Sequence, residues 1–196
     1  MVNGSIFDAI NDLAGQNIVA DDLAKAAARY LVIAIAAAVA FYWFVGRGKQ
    51  RAENQAMVVG AMAAAVLGLA MASLIQHFYI HPRPFMDRND VILLINHSPD
   101  PSLPSEHAVA AFSVAGAALW SRRFISAAVL LAAALVLGFA RIYTGLHYPA
   151  DVAVAAGVGL LVSFVVVRLA GPLIMQLRAA VVRILPRTVR TVLLLD

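Results

Sequence analysis

The hydrophobic positions of this chain fall into five long runs that contain few charged residues. The runs cover about 27–46, 55–76, 105–121, 123–141 and 150–170. A helix that crosses the hydrocarbon core of a bilayer needs roughly 20 apolar residues, whereas a soluble core needs no such uninterrupted run. The pattern therefore predicts an all-α fold, a polytopic membrane helix bundle with about five transmembrane helices. The short polar stretch Ser121-Arg122-Arg123 predicts a tight hairpin between the third and fourth spans.

Both ends of the chain have the residue spacing of amphipathic helices. Residues 4–16 place Ile6, Ile10 and Leu13 on one helical face, which predicts a short interfacial helix on the outer surface. Residues 173–185 combine an apolar face with arginines, and we expect them to lie on the anionic cytoplasmic leaflet. The expected single membrane domain then has an interfacial segment 1–26, a transmembrane core 27–170 and an amphipathic tail 171–196.

Composition agrees with a membrane location. Hydrophobic residues make up 62% of the chain and charged residues 13%, whereas soluble domains are about half apolar and about a quarter charged. The chain has no cysteine, so disulfides and thiolate chemistry are excluded. Its net charge is +4. Its basic residues are placed according to the loops between spans and do not form the pattern of a groove that binds nucleic acid. We therefore expect membrane lipids as partners and no nucleic acid, and the sequence does not determine an oligomeric state.

The positive charges also predict an orientation. Ten of the fifteen Lys and Arg residues fall on one side of the five-span arrangement: Arg47, Lys49, Arg51, Arg122, Arg123, Arg168, Arg178, Arg183, Arg187 and Arg190. The positive-inside rule makes this side cytoplasmic. All five histidines, the N-terminus and the long loop 77–104 fall on the opposite side. We therefore expect a multi-pass protein of the cell membrane whose active site faces outside the cytoplasm.

Three short polar blocks are predicted to meet at this outer face. They are Arg83-Pro84-Phe85 after the second span, Pro104-Ser105-Glu106-His107 at the start of the third, and Arg141, His147 and Asp151 around the loop between the fourth and fifth. Arginine forks suit phosphate oxygens, so Arg83 and Arg141 are expected to bind phosphate. Pro104 and Ser105 indicate a helix start, whose free N–H groups favour an anion. Ser105 is therefore a third expected phosphate ligand.

The histidines supply the expected chemistry. His147 lies just before a predicted helix start, and Asp151 follows one turn later. A carboxylate in that position can hold the Nδ1–H group of His147 and leave Nε2 free as a nucleophile. His107, on a different helix, is then available as general acid and later as general base. We expect His107, His147 and Asp151 to be the catalytic residues.

The three blocks resemble the signature of the type-2 phosphatidic acid phosphatase superfamily, whose usual form is K-x6-RP, PSGH and SR-x5-H-x3-D. The similarity covers residues 76–151 and is closest to the bacitracin-resistance type of undecaprenyl-pyrophosphate phosphatase, through the opening Ile6 to Ile10, the run Pro82 to Phe85, and Glu106. The resemblance implies a phosphatase that needs no metal or cofactor and passes through a phosphohistidine. It also implies that the substrate is a polyprenyl diphosphate, hydrolysed to recycle the lipid carrier of cell-wall synthesis and to give bacitracin resistance.

The chain departs from the general signature at three positions, with Gln76 for lysine, Glu106 for glycine and Ala140 for serine. The missing lysine leaves one phosphate cation absent or supplied by His77, His81 or Arg88. Glu106 is expected to face away from the phosphate, to bind an arginine or to position His107.

Other functions remain open at this stage. The same residues fit a phosphatase for phosphatidate, phosphatidylglycerophosphate or lipid A type substrates, because they recognise phosphate and not the lipid tail. Vanadate-dependent oxidation, which soluble relatives in the superfamily perform, is a further possibility. A metal-binding transporter or sensor would use the outer histidines with Asp87, Asp90 and Asp100. The centres of the predicted spans are nearly all apolar, however, whereas transporters carry polar groups there.

Overall fold

A computed structural model of the chain describes residues 2–169 and 171–184, and these residues form helices and loops without strands. The helices are α1 (Val2–Asn11), α2 (Ile18–Phe41), α3 (Gly48–Phe78), α4 (Pro84–Asp87), α5 (Glu106–Trp120), α6 (Phe124–Tyr143), α7 (Pro149–Phe164) and α8 (Gly171–Ile184). A 3₁₀ turn (Tyr42–Phe44) follows α2, and a π-helical turn (Val165–Leu169) follows α7. The predicted all-α fold is confirmed.

Among the described residues, four helical segments are long and apolar enough to cross a membrane, namely Ile18–Phe44, Gly48–Phe78, Phe124–Tyr143 and Pro149–Leu169. The predicted third span, 105–121, forms α5, which has 15 residues and is therefore only about 22 Å long. Because α6 turns back directly from the end of α5 and returns to the level where α5 starts, α5 also runs through the bundle. The first two spans begin earlier than predicted, since α2 starts at the cap residue Asn17, whose side chain accepts hydrogen bonds from the N–H groups of Val19 and Ala20.

The helix α5 is the centre of the bundle and packs against α3, α6 and α7. Small residues allow this close approach. A Cβ atom added at Gly159 of α7 would lie 2.8 Å from the backbone nitrogen of Ser113 on α5. One added at Gly116 of α5 would lie 2.1 Å from Oγ of Ser163 on α7. Contacts between small residues are typical of helix packing in membranes, where backbones can come close together.

The outer surface of the bundle is apolar. Large side chains on several helices stay exposed, for example Tyr30, Val66, Leu135 and Leu161. A soluble protein rarely exposes apolar area on this scale, and contact with lipid accounts for it. At the end of the bundle that carries the predicted cytoplasmic cations, Arg122 turns the chain with a φ of 59° between α5 and α6. The predicted tight hairpin is therefore present.

The N-terminal helix α1 packs against the opposite end of the bundle. Its buried residues are Phe7 and Asn11, and the amide nitrogen of Asn11 donates to the carbonyl groups of Ile92 and Tyr143, both at 2.9 Å. Of the predicted apolar stripe, Ile6 and Leu13 remain exposed, whereas Ile10 packs against the cluster that contains Phe7. α1 therefore has one face that packs against the bundle and one face that is exposed. The packed face was not expected from the sequence.

The C-terminal tail was predicted to be amphipathic over 173–185. The structure forms α8 over most of this range, and Leu173 and Ile184 are exposed on it. The rest of the predicted tail, 185–196, lies outside the described residues.

Candidate active site

Four chain segments meet at the α1 end of the bundle. They are the loop that follows α3, the start of α5, the end of α6 and the start of α7. The six residues predicted to be catalytic or to bind phosphate all lie there: Arg83, Ser105, His107, Arg141, His147 and Asp151. All of them except His107 are buried, and His107 is half-buried. The backbone N–H group of Ser105 donates to the carbonyl group of Asp151 at 3.3 Å, which joins the starts of α5 and α7.

The two predicted phosphate arginines converge on one histidine nitrogen. Nη1 of Arg83 lies 3.0 Å from Nε2 of His147, and Nη2 of Arg141 lies 3.1 Å from the same atom. A guanidinium group only donates hydrogen bonds, so Nε2 is the acceptor and carries no proton. The lone pair of His147 therefore faces two positively charged groups that come from different segments of the chain.

The guanidinium group of Arg83 is held in a fixed orientation. Its Nε donates to the carboxylate of Asp100 at 2.8 Å and to the carbonyl group of the same residue at 3.1 Å, while Nη1 also donates to the carbonyl group of Leu146 at 3.1 Å. Partial burial of Asp100 opposes ionisation, but the hydrogen bond and charge of Arg83 hold its pKa below the ordinary value. Asp100 is therefore ionised and balances part of the positive charge of the site.

The other nitrogen of His147 faces a carboxylate and a hydroxyl group. Nδ1 of His147 lies 3.5 Å from Oδ2 of Asp151 and 3.2 Å from Oγ of Ser102. The hydroxyl group of Ser102 also donates to Oδ2 of Asp151. The same carboxylate oxygen accepts the backbone N–H of Tyr148 at 2.8 Å, which fixes Asp151 at the start of α7.

Burial determines the protonation state of His147. Desolvation lowers its pKa to about 3; the hydrogen bond and charge of Asp151 oppose this change, and the charges of Arg141 and Arg83 add to it. The ring is therefore neutral at ordinary pH, with its proton on Nδ1. A neutral imidazole with a free Nε2 is the form that acts as a nucleophile.

Two buried donor atoms in this region have no hydrogen-bond partner among the described residues. They are Oγ of Ser105 and Nε of Arg141. Ser105 is the cap residue of α5, but its side chain makes no capping bond. Buried polar groups normally find a partner, so both atoms are suited to a bound anion. The helix start predicted at Ser105 is confirmed.

The remaining predicted residues lie around this centre. His107 is in the first turn of α5, within electrostatic range of Arg141 and Arg83. The side chain of Glu106 is exposed. Gln76, which stands where the general signature has lysine, donates from Nε2 to the carbonyl group of Pro104 at 3.2 Å and so holds the loop before α5.

Arg88 makes two ion pairs away from the histidine. Its guanidinium nitrogens lie 2.6 Å from Oδ1 of Asp8 on α1 and 2.6 Å from Oδ2 of Asp90. The hydrogen bonds of Asp90 and Asp8 raise its pKa above the ordinary value. Arg88 therefore ties α1 to the outer loop, and a phosphate would have to displace a carboxylate to reach it.

The sequence predicted no role for Ser102 and placed Asp100 only in the alternative metal site. It named His81 only as one possible substitute for the missing phosphate cation, whereas Nδ1 of His81 lies 3.7 Å from Oδ1 of Asp151. These residues belong to a loop without helical or strand periodicity, so no pattern pointed to them. Within residues 2–169 and 171–184, no three His, Cys, Asp or Glu side chains come together as metal ligands.

Comparison with known families identifies the class of protein. Residues 55–174, which run from the first turns of α3 into α8, match the model of the PAP2 superfamily. The chain belongs to the PAP2 superfamily, and it is a membrane phosphatase.

Individual relatives are similar over most of the chain. It is 32% identical over 167 residues to undecaprenyl-diphosphatase BcrC of Bacillus subtilis (strain 168), which covers 85% of this chain and 83% of that one. It is 31% identical over 160 residues to the bacitracin transport permease protein BcrC of Bacillus licheniformis, over 82% and 76% of the two chains. The crystal structure of LpxE from Aquifex aeolicus shares the fold, with a TM-score of 0.70 at 24% identity, over 86% of this chain and 96% of that one.

Proposed function

We propose that this protein hydrolyses undecaprenyl diphosphate to undecaprenyl phosphate and inorganic phosphate at the outer face of the cell membrane, through a phosphohistidine at His147. The observation that carries the chemistry is the unprotonated Nε2 of His147, 3.0 Å and 3.1 Å from two guanidinium nitrogens. A phosphoryl group that enters between this nitrogen and the arginines meets a nucleophile and two charged donors together. The substrate is proposed from the relative that is named for this activity.

In the first step Nε2 of His147 attacks the terminal phosphorus in line. An N–P bond forms, the bond to the bridging oxygen breaks, and undecaprenyl phosphate leaves with that electron pair. Arg83, Arg141 and the hydroxyl group of Ser105 bind the equatorial oxygens, which is most of what phosphoryl transfer requires of a protein. His107 donates a proton to the leaving oxygen.

In the second step water hydrolyses the phosphohistidine. His107, now neutral, accepts a proton from the water as its oxygen attacks phosphorus. The N–P bond breaks, the electron pair returns to Nε2, and inorganic phosphate leaves. His147 keeps the proton on Nδ1 throughout, so the histidine is restored in its starting form.

The phosphate ligands favour a diphosphate over a monophosphate. Gln76 is bonded to the Pro104 carbonyl group, and Ala140 has no hydroxyl group to replace the serine of the general signature. A lipid phosphate has a second pKa near 6, by analogy with phosphate esters, so it leaves far more easily than an alkoxide. A diphosphate therefore tolerates the loss of these ligands better than a phosphomonoester does.

A groove between α2 and α6 supports an isoprenoid tail beside this site. It has a volume of about 220 Å³, and its lining includes Ala24 and Ala27 of α2 and Ala140 of α6. The next residue of α2, Ala28, accepts a hydrogen bond of 3.5 Å from Nη1 of Arg141 through its carbonyl group. An apolar chain in the groove would thus end at a phosphate-binding arginine.

The physiological role follows from the same chemistry. Removal of the terminal phosphate would return the lipid carrier to the form used in cell-wall synthesis. It would also lower the amount of undecaprenyl diphosphate, which we propose as the basis of bacitracin resistance. One relative is named as a bacitracin transport permease.

The proposal is tested by phosphate release from purified lipids in mixed micelles. We expect a higher kcat/KM for undecaprenyl diphosphate than for undecaprenyl phosphate, phosphatidate or phosphatidylglycerophosphate. Equal efficiency with phosphatidate would remove the substrate assignment and leave a general lipid phosphatase. Full activity in the presence of a metal chelator would also distinguish this mechanism from a metal-dependent one.

The covalent step is tested with terminally ³²P-labelled substrate and rapid quenching at alkaline pH. Wild-type protein should retain an alkali-stable, acid-labile label, and His147→Ala should retain none and lose turnover. Phe124→Ala is the control, because Phe124 is exposed at the start of α6, at the opposite end of the bundle from the site. A label that survives in His147→Ala would remove His147 as the nucleophile.

A further inference from the structure

Ser102 occupies a position that neither the sequence pattern nor the proposed chemistry uses. The residue is fully buried in the loop before α5. Its backbone N–H donates to the carbonyl group of His81 at 2.8 Å, which fixes the main chain. Its hydroxyl group lies between the imidazole of His147 and the carboxylate of Asp151.

The distances place the hydroxyl group in the path between the two catalytic side chains. Nδ1 of His147 and Oδ2 of Asp151 are 3.5 Å apart, which is too long for a good hydrogen bond. Nδ1 is 3.2 Å from Oγ of Ser102, and that hydroxyl group donates to Oδ2. The continuous connection therefore runs from Nδ1–H to Oγ and from Oγ–H to the carboxylate.

The donors and acceptors allow only one arrangement of protons. Nε2 of His147 accepts from Arg83 and Arg141, so the ring proton is on Nδ1. Nδ1–H must then donate to Oγ of Ser102, because a hydroxyl group can accept while it donates its own proton. The carboxylate of Asp151 accepts the hydrogen bond that this hydroxyl group donates.

We propose that Ser102 is a positioning residue that links Asp151 to His147 by accepting the Nδ1–H hydrogen bond of the nucleophile; this rests on the proposed function of His147. As Nε2 bonds to phosphorus, the ring becomes positively charged and its Nδ1–H bond more acidic. Ser102 passes the stabilising effect of the Asp151 charge to the ring, and no proton leaves Nδ1. The hydroxyl group thereby stabilises the phosphohistidine and the transition state before it.

The first experiment compares serine variants of the same loop. Ser102→Ala should lower kcat about 10- to 100-fold, the range seen when partners behind a ligating histidine are removed, with KM within about twofold. Ser102→Cys keeps a similar side-chain volume, but its thiol group is only a weak hydrogen-bonding group. The kcat of Ser102→Cys should therefore lie between that of wild type and that of Ser102→Ala. Ser98→Ala is the matched control, because Ser98 is an exposed serine in the same loop and should keep wild-type kcat.

The second experiment reads the imidazole directly and needs no substrate. In protein labelled with ¹⁵N-histidine, the ¹H–¹⁵N spectrum gives the chemical shift of the Nδ1–H proton, which moves downfield when this group donates a strong hydrogen bond. The His147 signal is assigned by its loss in His147→Gln. We expect a downfield Nδ1–H signal in wild type and Ser98→Ala, and an upfield shift of this signal in Ser102→Ala and Ser102→Cys.

The two measurements separate the failure of this inference from the failure of the proposed function. A wild-type protein that releases no phosphate from any lipid removes the proposed function, while the comparison of Nδ1–H chemical shifts still decides the role of Ser102. If Ser102→Ala keeps wild-type kcat, or loses kcat with an unchanged Nδ1–H shift of His147, the role of Ser102 is overturned. If Ser102→Ala does not fold, Ser102→Cys decides on the same criteria.

Discussion

At the scale of single residues, hydrogen-bond geometry defines the proposed phosphate site more closely than charge does. Arg83 uses Nε for Asp100 and Nη1 for both Leu146 and His147, so the planar group is fixed before any substrate binds. A lysine carries the same charge but has no fork of donors. We therefore expect the site to distinguish arginine from lysine at position 83.

Replacement of Arg83 by lysine tests this statement. Arg83→Lys should lower kcat/KM about 10²- to 10³-fold, the usual effect of removing one preorganised donor to a transition state. Arg29→Lys is the control, because Arg29 is exposed on α2 and should leave kcat/KM unchanged. An Arg83→Lys enzyme with wild-type kcat/KM would show that positive charge is sufficient there.

At the scale of helices, close packing between the middle parts of α5 and α7 determines how far apart the first residues of these two helices lie. Gly159 lets them touch, since a Cβ atom there would lie 2.8 Å from the backbone nitrogen of Ser113 and 2.9 Å from the carbonyl oxygen of Val109. Backbone atoms cannot rotate away as side chains do. Nothing lies within 4 Å of a Cβ atom at Gly157, on an exposed face of the same helix.

These two glycines give a matched pair of substitutions. Gly159→Ala should destabilise the protein by about 1–3 kcal/mol through overpacking and lower kcat by moving α7 relative to α5. Gly157→Ala should stabilise the helix by up to about 1 kcal/mol and leave kcat unchanged. Thermal unfolding in detergent and phosphate release measure both effects. Equal behaviour of the two variants would contradict the proposed close approach.

The groove between α2 and α6 gives a second prediction for the same scale. Ala24→Phe fills the groove and should raise KM for undecaprenyl diphosphate about tenfold, which corresponds to about 1.4 kcal/mol of lost binding. The KM of Ala24→Phe for a short-chain diphosphate such as farnesyl diphosphate should change little. Ala26→Phe adds the same side chain at an exposed position outside the groove and should change neither KM. A similar rise in KM for both lipids in Ala24→Phe would mean that the tail lies elsewhere.

At the scale of the whole molecule, the orientation in the membrane remains a prediction from the positive charges. The chain has no cysteine, so single cysteines can be introduced without removing any. A membrane-impermeant maleimide should label Asn96→Cys in intact cells and should label Lys49→Cys only after permeabilisation. Both residues are exposed, and they lie at opposite ends of the bundle. A reporter fused after Asp196 should be cytoplasmic.

Labelling of both cysteines from the same side would contradict the predicted arrangement of spans. Labelling of Lys49→Cys alone in intact cells would place the active site in the cytoplasm. The chemistry at His147 would be unaffected by that outcome, but access of the enzyme to lipid on the outer leaflet would be lost.

The sequence by itself determined the helical membrane fold and predicted the main members of the candidate site. Long apolar runs predict membrane spans because each apolar residue adds to the favourable free energy of transfer from water into the bilayer. The block containing Arg141, His147 and Asp151 is also local, since a helix end, a short loop and a helix start keep these residues together. Successive crossings of the bundle then bring Arg83, Ser105 and His107 to the same end.

Only the tertiary structure decided which polar groups complete the site. Ser102 and Asp100 come from an irregular loop whose position depends on bonds to other segments, including that from Ser102 N–H to the His81 carbonyl group. Gln76, which stands at the lysine position of the general signature, holds the Pro104 carbonyl group. Arg88, one of the suggested substitutes for that lysine, pairs with two carboxylates. Periodicity carries no information about such contacts, because they join residues that are distant in the chain, and their energies depend on a few tenths of an ångström.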